Sequence, residues 1–126
     1  MAKKSDCCSG GKTSVVLACS GASNVGQMTN ELAKCLDTDG TAKFFCLAGV
    51  GGHVSGMVAS VAAADKVLVL DGCPVGCAKR AMDAAGAKGF SYKVITELGV
   101  EKKHAFQWEQ GQFDKALDVC KKVLAE

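Results

Sequence analysis

The sequence predicts an α/β domain in which a mostly parallel sheet of about four strands, in the order 2-1-3-4, lies between two layers of helices. Three observations predict it. Short apolar, partly β-branched runs each end in a glycine-containing turn, stretches with helical spacing follow them, and the two patterns alternate along the chain. Right-handed crossovers then give a three-layer, Rossmann-like arrangement whose sites form beyond the strand C-termini. With 126 residues, 48% of them hydrophobic, the chain has enough apolar material for one core. No linker, repeat or biased tract divides it, so residues 13–126 read as a single domain and residues 1–12 as a flexible, cysteine-containing tail.

The first strand runs from Ser14 to Cys19 and stops at the turn Ser20 to Asn24. Behind it Val25, Met28, Leu32, Cys35 and Leu36 recur at helical spacing, with Ser23 or Asn24 as N-cap and Asp39-Gly40 as the stop. The second strand, Ala42 to Leu47, breaks into the glycine-rich stretch Ala48 to Gly52 before a helix through Val54, Met57, Val58 and Val61. The third, Lys66 to Asp71, turns at Gly72 into the segment Cys73 to Cys77 and a helix through Ala78, Met82 and Ala85. A fourth strand, Ser91 to Thr96, precedes a loop and a last helix with Phe113, Ala116, Leu117, Cys120 and Leu124 on one face.

Composition excludes several function classes. The net charge is +2, the lysine pairs are widely separated, and the few aromatics do not interleave with basic residues, so nothing marks a nucleic-acid surface. The positive start lacks the apolar stretch of a secretory signal, and the longest weakly polar run, Val54 to Ala64, falls short of the ~18 residues of a membrane span. The expected compartment is the cytoplasm. There, eight cysteines in so short a chain argue for metal binding or catalysis over disulfides.

Their placement points to a metal. Cys19, Cys46 and Cys73 each fall at the end of a strand, and in the order 2-1-3-4 these strands are neighbours ~4.8 Å apart. A tetrahedral zinc, with Zn–S near ~2.3 Å, needs sulfurs within about 4 Å of one another, which adjacent strand-end loops can supply and Cys77 can complete. Pro74 suits a first helical position, so Cys73 is the expected N-cap, with free backbone N–H groups around its sulfur and Lys79 or Arg80 adding positive charge.

The segment LDGCPVGCAKR, from Leu70 to Arg80, resembles the central motif of the DGC-domain family, bacterial and archaeal proteins to which zinc binding is ascribed. The stretches ACSGASNVGQ around Cys19 and CLAGVGG from Cys46 resemble the same family, and the likeness covers roughly Val15 to Gly99. It implies four chelating cysteines, which fall here on Cys19, Cys46, Cys73 and Cys77, and a Zn2+ ion, with iron, an iron–sulfur cluster or arsenite as other thiolate-seeking occupants. It implies no substrate. A protein partner for metal or thiol exchange would suit such a site.

A second class of function is a thiol enzyme. Cys73 would then be a nucleophile or redox thiol resolved by Cys77, with Asp71 and His53 as proton handlers, and His53 also offers an imidazole ligand. Other motifs fail on spacing. Asp6 stands where the first glycine of a phosphate loop ending at Gly11-Lys12-Thr13 belongs, and Val54 replaces the third glycine of a dinucleotide fingerprint begun by Gly49 and Gly51. Lys79, without the bidentate fork of arginine, holds the arginine position of a phosphatase-type loop that starts at Cys73. Cys7 and Cys8 in the tail suit capture of a soft metal or simple oxidation, and Cys35 and Cys120 are expected core residues.

Overall fold

The computed structural model describes residues 12–126, so Cys7, Cys8 and nearly all of the expected tail lie outside the described residues. The elements follow in the order β1 (Ser14–Ala18), α1 (Asn24–Thr38), β2 (Lys43–Phe44), α2 (Leu47–Gly51), α3 (Ser55–Ala63), β3 (Lys66–Asp71), α4 (Cys77–Ala84), β4 (Ser91–Val94), a 3₁₀ turn (Ile95–Leu98) and α5 (Gln110–Ala125). Four parallel strands pair in the order β2-β1-β3-β4, as the alternation predicts. Val16 pairs with Phe44 on one side and Leu68 on the other.

Period-two alternation along the central strands builds two cores. Val16, Ala18, Leu68 and Leu70 point to the face covered by Met28, Leu32 and Leu36 of α1 and Phe113, Ala116 and Cys120 of α5. Val15, Leu17 and Val69 point to the other face, against Val50, Val61, Ala78 and Met82. Helix α1 starts where the sequence expects, with the Ser23 hydroxyl accepting the Gly26 N–H at 3.0 Å.

Two strands are shorter than their apolar runs suggest. Phe45 still donates its N–H to Val16 at 2.9 Å, but Cys46 then becomes the N-cap of α2, a five-residue helix in the stretch read as a break. Burial of Val50 among Leu17 and Met82 holds this glycine-rich turn in helical form. At the far edge β4 gives way to the 3₁₀ turn, where Thr96 donates its N–H to Gly72 at 3.1 Å. Among the described residues, no helix is long and apolar enough to cross a membrane.

The loop after β3 packs backbone to backbone on the first turn of α1, which packs in the same way on the loop after β1. A Cβ on Gly72 would lie 2.7 Å from the Gly26 nitrogen, and one on Gly26 would lie 2.5 Å from the Gly21 carbonyl oxygen, so neither position has room for a side chain. Gly72→Ala should therefore cost about 1–3 kcal/mol in urea unfolding, through forced backbone shifts. Gly56→Ala, on the open side of α3 where nothing lies within 4 Å, should instead stabilise by about 0.5–1 kcal/mol. Equal effects at the two glycines would remove the packing argument.

Candidate functional site

Three neighbouring strands each deliver a cysteine to the C-terminal edge of the sheet. Cys19 follows β1 directly, and its N–H donates to the Leu70 carbonyl at 3.0 Å, which ties it to β3. Its Sγ stands 3.6 Å from Thr29 Oγ1. The next residue, Ser20, holds a left-handed backbone (φ 53°), kept there by Ser20 Oγ donating to Asn30 Oδ1 at 2.9 Å and by Gln27 Nε2 donating to the Ser20 carbonyl at 3.1 Å. Cys46 caps α2 and is exposed, Cys73 lies two residues beyond β3 and is half-buried, and Cys77 opens α4 and is exposed. All four are free thiols.

Cys19 and Cys46 line one open, mainly apolar cavity of roughly 680 Å³ with Phe44, Phe45, Leu47 and Ala81. Among the described residues, no three Cys, His, Asp or Glu side chains stand close enough together to hold a metal ion as they are placed. The fold therefore brings the four cysteines to one edge without drawing their sulfurs into a shell.

The turn after β3 differs from its sequence reading. Cys73 is not an N-cap and Pro74 is not a first helical residue: the backbone turns once, with Gly76 donating its N–H to the Cys73 carbonyl at 3.2 Å, and α4 begins at Cys77. Its N-cap is Gly76 in a left-handed conformation (φ 71°), without a side chain to cap anything. Asp71 does that work from the strand end. Its Oδ1 accepts the Ala78 N–H at 2.8 Å, and its Oδ2 accepts the Lys79 N–H at 3.0 Å and the Tyr92 hydroxyl at 2.7 Å. Burial and donation to this carboxylate both raise the Tyr92 pKa, so the phenol stays a donor.

The unassigned loop before α5 supplies a residue that the sequence reading missed. Lys102 places Nζ 3.4 Å from Cys73 Sγ. Its neighbours are fixed by the buried Asn24, whose Nδ2 donates to the Glu101 carbonyl at 2.8 Å while Oδ1 accepts the Lys103 N–H at 2.6 Å. The Asn24 N–H donates in turn to the Lys103 carbonyl at 3.0 Å. No local pattern announces this contact, because the partners are 77 and 79 residues apart.

His53 sits exposed in the turn between α2 and α3, with a left-handed backbone (φ 61°). Arg80 folds back over the cysteine turn, its Nε donating to the Val75 carbonyl at 2.9 Å, and Lys79 pairs with Asp83. Cys35 packs half-buried against the core. Cys120 is fully buried, and burial pushes its thiol up to about 12.

Two outcomes follow from this geometry. Asp71→Asn should cost about 2–3 kcal/mol, because an amide cannot accept from all three donors without facing one N–H with another, whereas Tyr92→Phe should cost about 0.5–1.5 kcal/mol. Comparable losses in thermal unfolding would mean that Asp71 is not the cap. Iodoacetamide at neutral pH should label the exposed Cys46 and Cys77 and leave Cys120 unmodified until the chain unfolds. Since the folded Cys120 pKa of about 12 exceeds its ordinary value of 9.0, its contribution to stability is complete below pH 9 and is lost as pH rises through that interval. Unchanged stability of a Cys120→Ala variant relative to wild type across the same interval would contradict this origin.

The family model of the DGC domain matches residues 15–120. The anaerobic and virulence modulator AnvM of Pseudomonas aeruginosa (strain PAO1) is 38% identical over 110 residues, covering 87% of this chain and 84% of that protein. No solved structure gives a significant match. Matching almost the whole described domain, and sharing a relative of nearly equal extent, the chain belongs to the DGC-domain family.

Proposed function

We propose that this chain binds a thiophilic metal ion, zinc first, through Cys19, Cys46, Cys73 and Cys77. One observation carries the reading: three adjacent parallel strands each release a free cysteine at the same sheet edge, with a fourth one turn away. The thiols differ in anchoring and exposure in a way that suits capture. Cys19 is tied to β3 and Cys73 follows the tightly packed Gly72, whereas Cys46 and Cys77 are exposed at helix starts. Gathering the sulfurs requires rotation of side chains and adjustment of the Cys73 to Gly76 turn, not refolding of the sheet. When bound, zinc would supply a tetrahedral template with Zn–S bonds near ~2.3 Å, which structural and transfer sites both use.

Thiols of this kind persist in a reducing compartment, and we place the protein in the cytoplasm, exchanging metal or thiol equivalents with a protein partner. AnvM carries the name of an anaerobic and virulence modulator, and an oxidisable thiolate site would suit a modulating role in this chain as well. The thiol-enzyme reading keeps one supporting observation, the ammonium of Lys102 beside Cys73. It loses one of its two proton handlers, since Asp71 is engaged by three donors.

The test is metal content per chain after anaerobic purification and dialysis against a graded chelator series. Cys73→Ser and Cys77→Ser should each lower retention at least about tenfold, whereas the double variant Cys7→Ser/Cys8→Ser should stay near wild type. Four thiolates already complete a tetrahedral shell, which leaves the tail pair no coordination position to fill. Release from the tail variant as rapid as from Cys73→Ser would bring Cys7 or Cys8 among the ligands, and a metal-free wild type would end the reading.

A further inference from the structure

We infer that Lys102 is the built-in cation of the thiol site, held over Cys73 so that this sulfur reacts and binds in a positive field. The inference deepens the metal reading but rests on geometry that stands without it. An exposed lysine with a four-carbon stem ordinarily samples many rotamers, and an ammonium 3.4 Å from a sulfur would on that ground alone mean little. Here the backbone on both sides of it is fixed. Asn24 is 4% exposed at the start of α1, and all three of its backbone-directed hydrogen bonds go to Glu101 and Lys103, the residues flanking Lys102.

The clamp joins the start of α1 to the loop before α5, and Gly72 packs on the same first turn of α1 at Val25 and Gly26. Cys73 and Lys102 are therefore held from one common base. Of the other cations, Lys79 pairs with Asp83, and Arg80 spends its Nε on the Val75 carbonyl within the turn. Among the described residues, Lys102 is the cation at hydrogen-bond distance from a sulfur.

The chemistry that follows is electrostatic. Four thiolates around one divalent cation leave a net charge of −2, which a lysine ammonium at the shell partly offsets, so the neighbouring ammonium favours retention of the metal and quiets the Cys73 sulfur as a leaving ligand. Without metal, the same ammonium favours anionic partners of Cys73 over neutral ones. In exchange with an anionic aromatic disulfide, the Cys73 thiolate attacks one sulfur, a mixed disulfide forms, and the aromatic thiolate leaves with the electron pair of the broken S–S bond.

The experiment measures rates of modification on the full-length, reduced and chelator-treated protein with two disulfide reagents, the dianionic 5,5′-dithiobis(2-nitrobenzoate) and the neutral 2,2′-dithiodipyridine. Fragment-ion mass spectrometry of the tryptic peptide from Val67 to Lys79 separates modification at Cys73 from modification at Cys77, the internal control. The ratio of the two rates cancels the thiolate fraction and reports the local field. In Lys102→Met the ratio at Cys73 should fall about fivefold at low ionic strength, the drop shrinking in high salt, while Lys102→Arg keeps it and Cys77 changes little. Asn24→Ala, checked for folding by circular dichroism, should lower the ratio with Lys102 still present. An unchanged ratio in Lys102→Met, or an equal fall in Lys102→Arg, overturns the inference. A second arm follows metal release to a chromophoric chelator, which Lys102→Met should accelerate. Protein that holds no metal fails the metal reading alone, and the reagent ratio still decides the role of Lys102.

Discussion

The carboxylate of Asp71 ties three elements of this molecule together at one point. It stands at the end of a central strand with 1% exposure, where a carboxylate without partners would cost several kcal/mol. Two donors from the first turn of α4 and one from Tyr92 on β4 compensate it, so the strand end, the following helix and the neighbouring strand share one anchor. This arrangement decides the shape of the cysteine-bearing turn. Because Asp71 reaches forward to Ala78 and Lys79, the helix begins at Cys77, and the segment from Cys73 to Gly76 is released from helical geometry. Cys73 and Cys77 consequently lie on a turn and a helix start with different exposure, not on one helical face.

Glycine contacts set the second constraint. Gly21, Gly26 and Gly72 stack backbone on backbone, which draws the loop after β1 against the loop after β3. Strand pairing alone would bring Cys19 and Cys73 to the same edge at the spacing of the sheet. The glycine contact adds a second tie beyond the ladder, between the loop after β3 and the first turn of α1, through backbone atoms that cannot rotate away. The same first turn of α1 carries Asn24, so the α1 N-terminus organises Gly72, Lys102 and, through Thr29, the surroundings of Cys19.

Strand order, four of the long helices and the strand-end positions of the cysteines were legible because they rest on local signals. Ser14 to Ala18 and Lys66 to Asp71 are continuous apolar runs, Ser23 is a hydroxyl one residue ahead of a periodic stretch, and Gly40 marks a stop by its left-handed conformation. What escaped depends on tertiary context. The cap of α4 is a carboxylate seven residues ahead of the N–H it accepts, outside the window in which capping residues are sought. Helix α2 carries two glycines in five residues, and burial of Val50 offsets their poor helix propensity. Lys102 reaches Cys73 only because Asn24 fixes a loop nearly eighty positions further along the chain.

These constraints also bear on how an ion would be held. Cys19 has its backbone tied to β3, so for it only a side-chain rotor must be ordered, at about 1 kcal/mol or less, while Cys73 adds the adjustment of its short turn. Cys46 and Cys77 start helices, so their backbones are likewise set by neighbouring turns while their sulfurs remain open to solvent. The ordering cost of a four-thiolate shell within this domain is thus small compared with the bonds a divalent soft cation can form, typically ~10–16 kcal/mol in structural zinc peptides where folding is coupled to binding. Most of that free energy would remain for affinity, and two of the proposed ligands, exposed as free thiols, would stay accessible to an incoming thiol. A site built in this way separates tightness from slowness: fixed backbones favour binding, and exposed sulfurs give a partner a route by which the ion can be exchanged one ligand at a time.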